Sequence, residues 1–312
     1  MQENILIDAH IHLALDGIDF KQARLKHKDT PDLNILRAVL RKYKSLGIRF
    51  LRDGGDNLNV SLYARELAME EGMILRTPVY ALYKKGRYGS FLGRPIADMA
   101  EFKDEFARLL SFKPDHLKIP FTGIMDFSQF GKVDAINFTF DELYYMIQSA
   151  KDKNLNVMVH AYTAVAVRMA ILAGADTIEH GYFLTDDELY LMLENDTVWV
   201  PTLAPLGNLV KQNDLRFKNE IQIIEQIYAA HTQKVAKAFE LGVRVAAGSD
   251  AGSHAVCHGK GFFDELDHLA STGIKKETIL SAARVNGMKA LNLEQHDIAI
   301  VFNNTDEVGG AS

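Results

Sequence analysis

His10 and His12 stand two residues apart in the apolar run LIDAHIHL (residues 6–13). On a strand, residues i and i+2 share a face, so two imidazoles would lie side by side in an apolar setting. Such a pair either satisfies itself by hydrogen bonding or holds a metal ion. Four more polar residues interrupt apolar runs further along: Lys118 in HLKIPFT, His160 in NVMVHAY, His180 in DTIEHGYF and Asp250 in VRVAAGSDA. Buried imidazoles and charges cost several kcal/mol unless they are paired or metal-bound, so six of them at strand ends point to shared chemistry. Imidazole nitrogen and carboxylate oxygen, without thiolate, suit a borderline-to-hard divalent ion such as zinc, manganese or iron.

Lys118 cannot ligate a metal as an ammonium. Its bland reading is a strand lysine whose stem packs while its head reaches solvent. Its functional reading is an amine, kept neutral by burial and nearby cations, that adds carbon dioxide and becomes a carbamate bridging two ions. Such pairs sit roughly 3.5–4 Å apart in two-metal hydrolases.

These residues need a scaffold that brings strand ends together. Eight β-rich runs alternate with amphipathic stretches: 4–12, 48–55, 74–83, 116–122, 156–162, 176–183, 197–203 and 243–251. Helical patterns fall at 31–47, 60–72, 99–112, 140–154, 164–175, 185–196, a long 213–242 and a closing 273–293. Gly47, Gly72, Asn154, Gly174 and Gly242 are placed as helix C-termini. Strands alternating with helices, without a Gly-rich phosphate loop after the first, predict an α/β chain closed as a (β/α)8 TIM barrel over residues 1–293. In that fold chemistry gathers where strands end, on the C-terminal face. The tail 294–312, containing HDIAIVFNN, reads as an extra strand and a possible remnant of a small β-sandwich.

The chain has 312 residues, 47% hydrophobic, with net charge −6 and a single cysteine, Cys257. There is no basic surplus to suggest nucleic acid or an anionic membrane, and no intramolecular disulfide is available. No apolar run reaches membrane-spanning length and no secretory leader pattern is evident, so a cytoplasmic protein is expected.

DAHIH, RDGG, LKI, HAYTAVAVRMAILAGADTIEHG, VPTL and GVRVAAGSDAG, in this order, resemble the amidohydrolase superfamily. The resemblance is nearest to its imidazolonepropionase-related branch, which includes metal-dependent Xaa-Pro dipeptidases of the prolidase type. It implies that His10, His12 and Asp250 bind the more buried of two divalent ions, that His160 and His180 bind the second, and that carbamylated Lys118 bridges both. It further implies hydrolysis of an amide or dipeptide C–N bond, with a hydroxide between the ions as nucleophile and Asp250 as general base. Alternatives are a mononuclear cyclic-amide hydrolase or deaminase, and a non-catalytic barrel relative. The resemblance also implies a flanking β-sandwich, which is expected to be largely missing here, so that apolar surface would be covered in a homo-oligomer.

Weaker candidates sit in the same mouth. Tyr162, His258 and Arg87 could bind a small-molecule or dipeptide-like substrate; the bland readings are a packed tyrosine, a loop histidine and an exposed loop arginine. His254 lies in the same loop as His258. Glu179 should alternate away from His180, toward the helices and a structural salt bridge. Asp8 and Asp53 read as groups tethering backbone, and Cys257 has no orienting base beside it.

Overall fold

The computed structural model describes residues 5–303. Strands β1 (Leu6–Ile11), β2 (Ile48–Asp53) and β3 (Ile74–Arg76) pair in parallel in that order. A two-stranded parallel unit follows, β4 (Ala81–Lys84) with β5 (Gly93–Ile96). β6 (His116–Pro120), β7 (Asn156–Thr163), β8 (Thr177–Phe183) and β9 (Val198–Val200) form the second parallel sheet, again in sequence order.

Single bridges close these sheets on each other. The Asp115 amide donates to Thr77 O at 2.9 Å, joining the end of β3 to the start of β6. On the other side the 243–251 segment lies between β9 and β1: Trp199 N donates to Arg244 O (2.8 Å), Ala9 N to Ala247 O (3.0 Å) and Asp250 N to His10 O (2.7 Å). Counting that segment, taking β3 with β4 as one interrupted strand and leaving out β5, which pairs with β4 alone, eight strand positions make a closed α/β barrel. The interruption falls at Pro78 and Val79, where Val79 takes φ 64°, so the single strand expected over 74–83 is broken.

The outer helices follow from the sequence in ordinary ways. In α2 (Leu33–Ser45) the Asp32 side chain caps the amides of Asn34 and Ile35, and Leu36, Leu40 and Tyr43 recur at helical spacing on the buried face. α3 (Val60–Glu70), α4 (Met99–Ser111), α5 (Phe140–Lys151), α6 (Ala164–Ala173) and α7 (Asp186–Glu194) occupy their expected stretches. The long stretch 213–242 yields a 3-10 turn (Leu215–Phe217) and α9 (Ile221–Leu241), and Asn213 instead ends α8 (Ala204–Gln212). α1 (Phe20–Leu25), α8 and α10 (Lys260–Ala270) were not expected; α11 (Lys276–Ala290) was.

The tail departs from expectation. Residues 295–303 form helix α12 (Gln295–Asn303), not a sandwich strand. Ile298 and Val301, three apart, share a helical face and join Ile5, Ile7, Phe50, Val198, Val200 and Ala246 in one apolar cluster. On a strand those two side chains would point to opposite faces. α12 thus closes the end of the barrel opposite the strand C-termini. The remainder of the expected tail, 304–312, lies outside the described residues.

Glu265 on α10 is wholly buried and its Oε2 accepts the Ala204 amide at 2.6 Å, capping α8. Burial pushes its carboxyl up from the usual 4.5 to about 8. The folded chain therefore holds a proton that the unfolded chain releases at lower pH, so stability is greatest below the unfolded value and declines as pH rises through the folded one.

Two outcomes are expected. Val301→Ala should lower the unfolding free energy by about 2 kcal/mol with an unchanged denaturant slope; an unchanged midpoint would mean that α12 does not seal the barrel. The thermal midpoint should fall between about pH 5 and about pH 8, and Glu265→Gln should flatten that fall; an identical profile in the variant would assign it to other groups.

Candidate metal centre

The polar residues predicted at the strand ends do meet. Nε2 of His10 lies 3.3 Å from Nε2 of His12, and Oδ1 of Asp250 lies 3.2 Å from His12 Nε2 and 3.7 Å from His10 Nε2. One donor atom from each of these three residues falls within 4.8 Å of the others. His180 stands beside them, its ring 5.1 Å from that of His10, and the His160 ring is 4.7 Å from that of His180. Lys118, 1% exposed, sits on β6 close enough to disfavour protonation of His10, His160 and His180. Burial is the larger cause in all three, and it drives His160 down to about 3. These imidazoles are therefore neutral, the form that ligates a cation. Burial likewise lowers Lys118 to about 8, against the pull of the Glu179 carboxylate.

The donor set fits a bound cation. Nδ1 of His10 is 2.6 Å from Glu179 Oε2, so its N–H donates to the carboxylate and the Nε2 lone pair faces His12. Two imidazole nitrogens and a carboxylate oxygen then converge, and Nδ1 of His12 is buried without a hydrogen-bond partner among the described residues. A shared positive ion resolves that crowding of lone pairs.

Glu179 corrects the alternation argument. It does not face the helices: besides His10, it takes Arg52 Nη2 at 2.8 Å and the Thr177 hydroxyl at 2.5 Å, all within the barrel. The expected salt bridge exists, but as a buried pair with Arg52 beneath His10. The cause is the backbone at His180 (φ 70°) and Gly181 (φ 63°), two consecutive left-handed residues that break the two-residue period. Glu179 and His180 can then both turn inward. The β1–β2 ladder also shifts register between Asp8 and Ile11, where His10 emerges.

Surrounding groups hold the ligand loops. Thr202 Oγ1 is 2.7 Å from His180 Nδ1, and Thr202 itself takes φ 50°. Its carbonyl accepts the Tyr182 hydroxyl, and the Pro201 carbonyl accepts His231 Nε2 at 2.9 Å. Asp8 receives both the amide (2.8 Å) and the hydroxyl (2.6 Å) of Ser249, and Asp53 receives the amides of Leu13 and Gly55. A Cβ on Gly54 would lie 2.4 Å from the His12 ring, so the RDGG turn needs glycine there for His12 to keep its place.

Of the weaker candidates, Tyr162 lies in the mouth, its ring 4.5 Å from His160 and 5.1 Å from His180. His258 does not: both ring nitrogens are engaged, one with the Tyr43 hydroxyl and one with Leu15 O. Its substrate role is corrected to a loop anchor. Arg87 is exposed, and the residue of that loop that reaches the cluster is Tyr88, 5.2 Å from the His160 ring. His254 pairs with Asp214 at 2.7 Å. Cys257 is free. Sequence reasoning passed over Tyr88 and Arg52; the one available signal for Arg52 was a charge inside the apolar strand IRFLRD.

A parallel barrel with imidazoles and a carboxylate gathered at its strand C-termini is the architecture of a barrel hydrolase. The chain belongs to the amidohydrolase family, whose model matches residues 6–296. It is 39% identical over 145 residues to an uncharacterized protein of Mycobacterium tuberculosis, a match spanning 46% of this chain and 39% of that protein. Among solved structures it resembles a Xaa-Pro dipeptidase with bound methionine in the active site (TM-score 0.73, 24% identity, 93% of this chain and 75% of that one). It also resembles a prolidase complexed with N-methylphosphonate-L-proline (TM-score 0.72, 19% identity, 93% and 74%). At those identities the likeness establishes the fold. Among the described residues no helix is long and apolar enough to cross a membrane.

Removing the Glu179 carboxylate with Glu179→Ala should cost about 3–5 kcal/mol, because it strands a buried guanidinium. Chemical denaturation without added metal measures this; a loss below about 1 kcal/mol would show that Arg52 finds other compensation.

Proposed function

We propose that the protein is a metal-dependent hydrolase of amide or dipeptide-like C–N bonds in small molecules. The observation that carries the reading is the convergence of His10, His12 and Asp250, with His160, His180 and Lys118 on neighbouring strands. His10, His12 and Asp250 would hold one divalent ion and His160 and His180 a second, with zinc as the first choice and manganese or iron compatible with the same donors. When bound, such ions activate water and polarise the scissile carbonyl.

The chain's own residues supply the rest. Glu179 and Thr202 fix the ring orientations of His10 and His180, so their free nitrogens face the centre. Lys118 Nζ, held by β6 among three imidazoles, would add carbon dioxide, lose a proton and present two carboxylate-like oxygens between the two ligand groups. Asp250 would take a proton from the attacking water and return it to the departing nitrogen, the general-base and general-acid role. Its side chain and that of His12 are the more open parts of the cluster, 13% and 11% exposed, which sets the side from which substrate approaches.

A one-ion reading, as in ring amidohydrolases and deaminases, has one observation in its favour. Among the described residues only His10, His12 and Asp250 offer donor atoms within 4.8 Å of one another. Stoichiometry separates the two readings. Purified protein from metal-supplemented culture should carry about two equivalents of metal by elemental analysis, falling to about one or fewer in Lys118→Ala. One equivalent in both favours the single-ion reading, and none in either removes the metal proposal. On a substrate found by screening N-acyl amino acids, dipeptides and lactams, Asp250→Asn should lower kcat by about 100- to 10,000-fold. Full activity in that variant would refute the assigned base.

A further inference from the structure

The imidazoles of the centre are held from behind by partners of two kinds. Nδ1 of His10 meets Glu179 Oε2 at 2.6 Å, and that carboxylate also accepts Arg52 and the Thr177 hydroxyl. An ionised carboxylate only accepts, so the His10 proton is pinned to Nδ1 and Nε2 carries the lone pair before any ion arrives.

His180 is held differently. Its Nδ1 lies 2.7 Å from Thr202 Oγ1. A hydroxyl both donates and accepts, so this contact is satisfied with the imidazole proton on either ring nitrogen. The other polar contact of Thr202 Oγ1 is the Tyr182 hydroxyl at 3.5 Å, and Tyr182 itself donates to Thr202 O at 3.1 Å. Donating to His180 at 2.7 Å is the better bond for Thr202 than donating to Tyr182 at 3.5 Å. That choice leaves the His180 proton on Nε2, the nitrogen that a cation needs. For His180 to ligate, Nε2 must lose its proton, Nδ1 must gain one, and the Thr202 hydroxyl must turn to accept it, with no net change in charge.

Thr202 is fixed in this position. It is buried, Pro201 O accepts His231 Nε2 at 2.9 Å on one side, and the Ala204 amide donates to Glu265 at 2.6 Å on the other. His180 is fixed too, since its carbonyl accepts Trp199 Nε1 at 2.9 Å. His160 is no more firmly set, because its Nε2 contact with Gly123 O is long, at 3.4 Å. A separate observation shows the same asymmetry. Donor atoms of His10, His12 and Asp250 already lie within 4.8 Å of one another, a grouping that among the described residues does not extend to His160 or His180.

We propose that Thr202 is a positioning residue that makes the second ion site, at His160 and His180, weaker than the first, so that the ions load in order and the second is the exchangeable one. The proposal rests on the two-ion form of the hydrolase reading and adds the rule by which metal supply would regulate it.

The test needs no turnover. Zinc titration of the metal-free protein in bicarbonate buffer, against a chromophoric chelator, should show two equivalents, the second bound about tenfold or more weakly. Thr202→Asp supplies a partner that only accepts, in a residue that tolerates positive φ, and should tighten the second step about tenfold or more while sparing the first. Thr202→Asn has the same shape but both donates and accepts, so it should keep the wild-type gap. A purely structural Thr202 would move both variants together. Nitrogen NMR of labelled histidine in the metal-free wild type reads the protons directly: on Nδ1 for His10, on Nε2 for His180, with the latter moving to Nδ1 at the second equivalent. Two steps of equal affinity, a His180 proton already on Nδ1, or equal shifts in the Asp and Asn variants overturn the proposal and leave the hydrolase reading intact. A single equivalent at saturation overturns it together with the two-ion reading, and no bound zinc removes the metal reading altogether.

Discussion

The Glu179 carboxylate organises the interior of this barrel. One oxygen accepts the Nδ1–H of His10; the other accepts Arg52 and Thr177. Arg52 in turn reaches Ala9 O on β1 and Ala290 O at the end of α11. A charge with no exposure at all thus ties β1, β2, β8 and α11 together and decides which nitrogen of His10 faces the centre. Buried ion pairs are weak evidence for stability, since desolvation offsets much of the attraction. The effect here is orientational: every possible ligand geometry at His10 follows from a carboxylate fixed below it.

The second constraint is backbone strain at the strand ends. His180, Thr202 and Asp250 take φ of 70°, 50° and 54°, in the left-handed region that side chains other than glycine and asparagine avoid. Each such residue costs of order 1–3 kcal/mol and persists only where its surroundings over-determine it. Those surroundings are present: Thr202 is held by His180 and Tyr182, the 201–204 turn by His231 and Glu265, and the Asp250 amide by His10 O. The strain allows consecutive side chains to enter one small volume that regular strands would divide between two faces.

Most strands and outer helices were legible because their signals are local. The helical pattern of 31–47 predicts α2, and a glycine with positive φ ends α6 and α9 as the sequence suggests. The misreadings occurred where local pattern is ambiguous. The 213–242 stretch has continuous helical composition, yet Asn213 adopts φ 49° as the cap of a preceding helix whose inner face carries Gly207 and Asn208. The tail IAIVF is a short continuous apolar run that suits a strand as well as a helix, but the open end of the barrel selects the helical face that presents Ile298 and Val301 together. Tyr88 was hidden beside the more conspicuous Arg87, since nothing in a glycine-punctuated loop says which of two neighbours turns inward.

The sequence by itself determined the residue types, their order and their positions at the ends of parallel strands, and with them the barrel and its six candidate ligands. It could do so because strand period, helix period and capping act over a few residues. The tertiary structure alone decided which side chains face one another: His10 meets a carboxylate 169 positions away, and Glu179 turns inward against its expected alternation. Such contacts arise from closure of the ring and from left-handed residues at strand ends, and neither leaves a periodic trace in the chain.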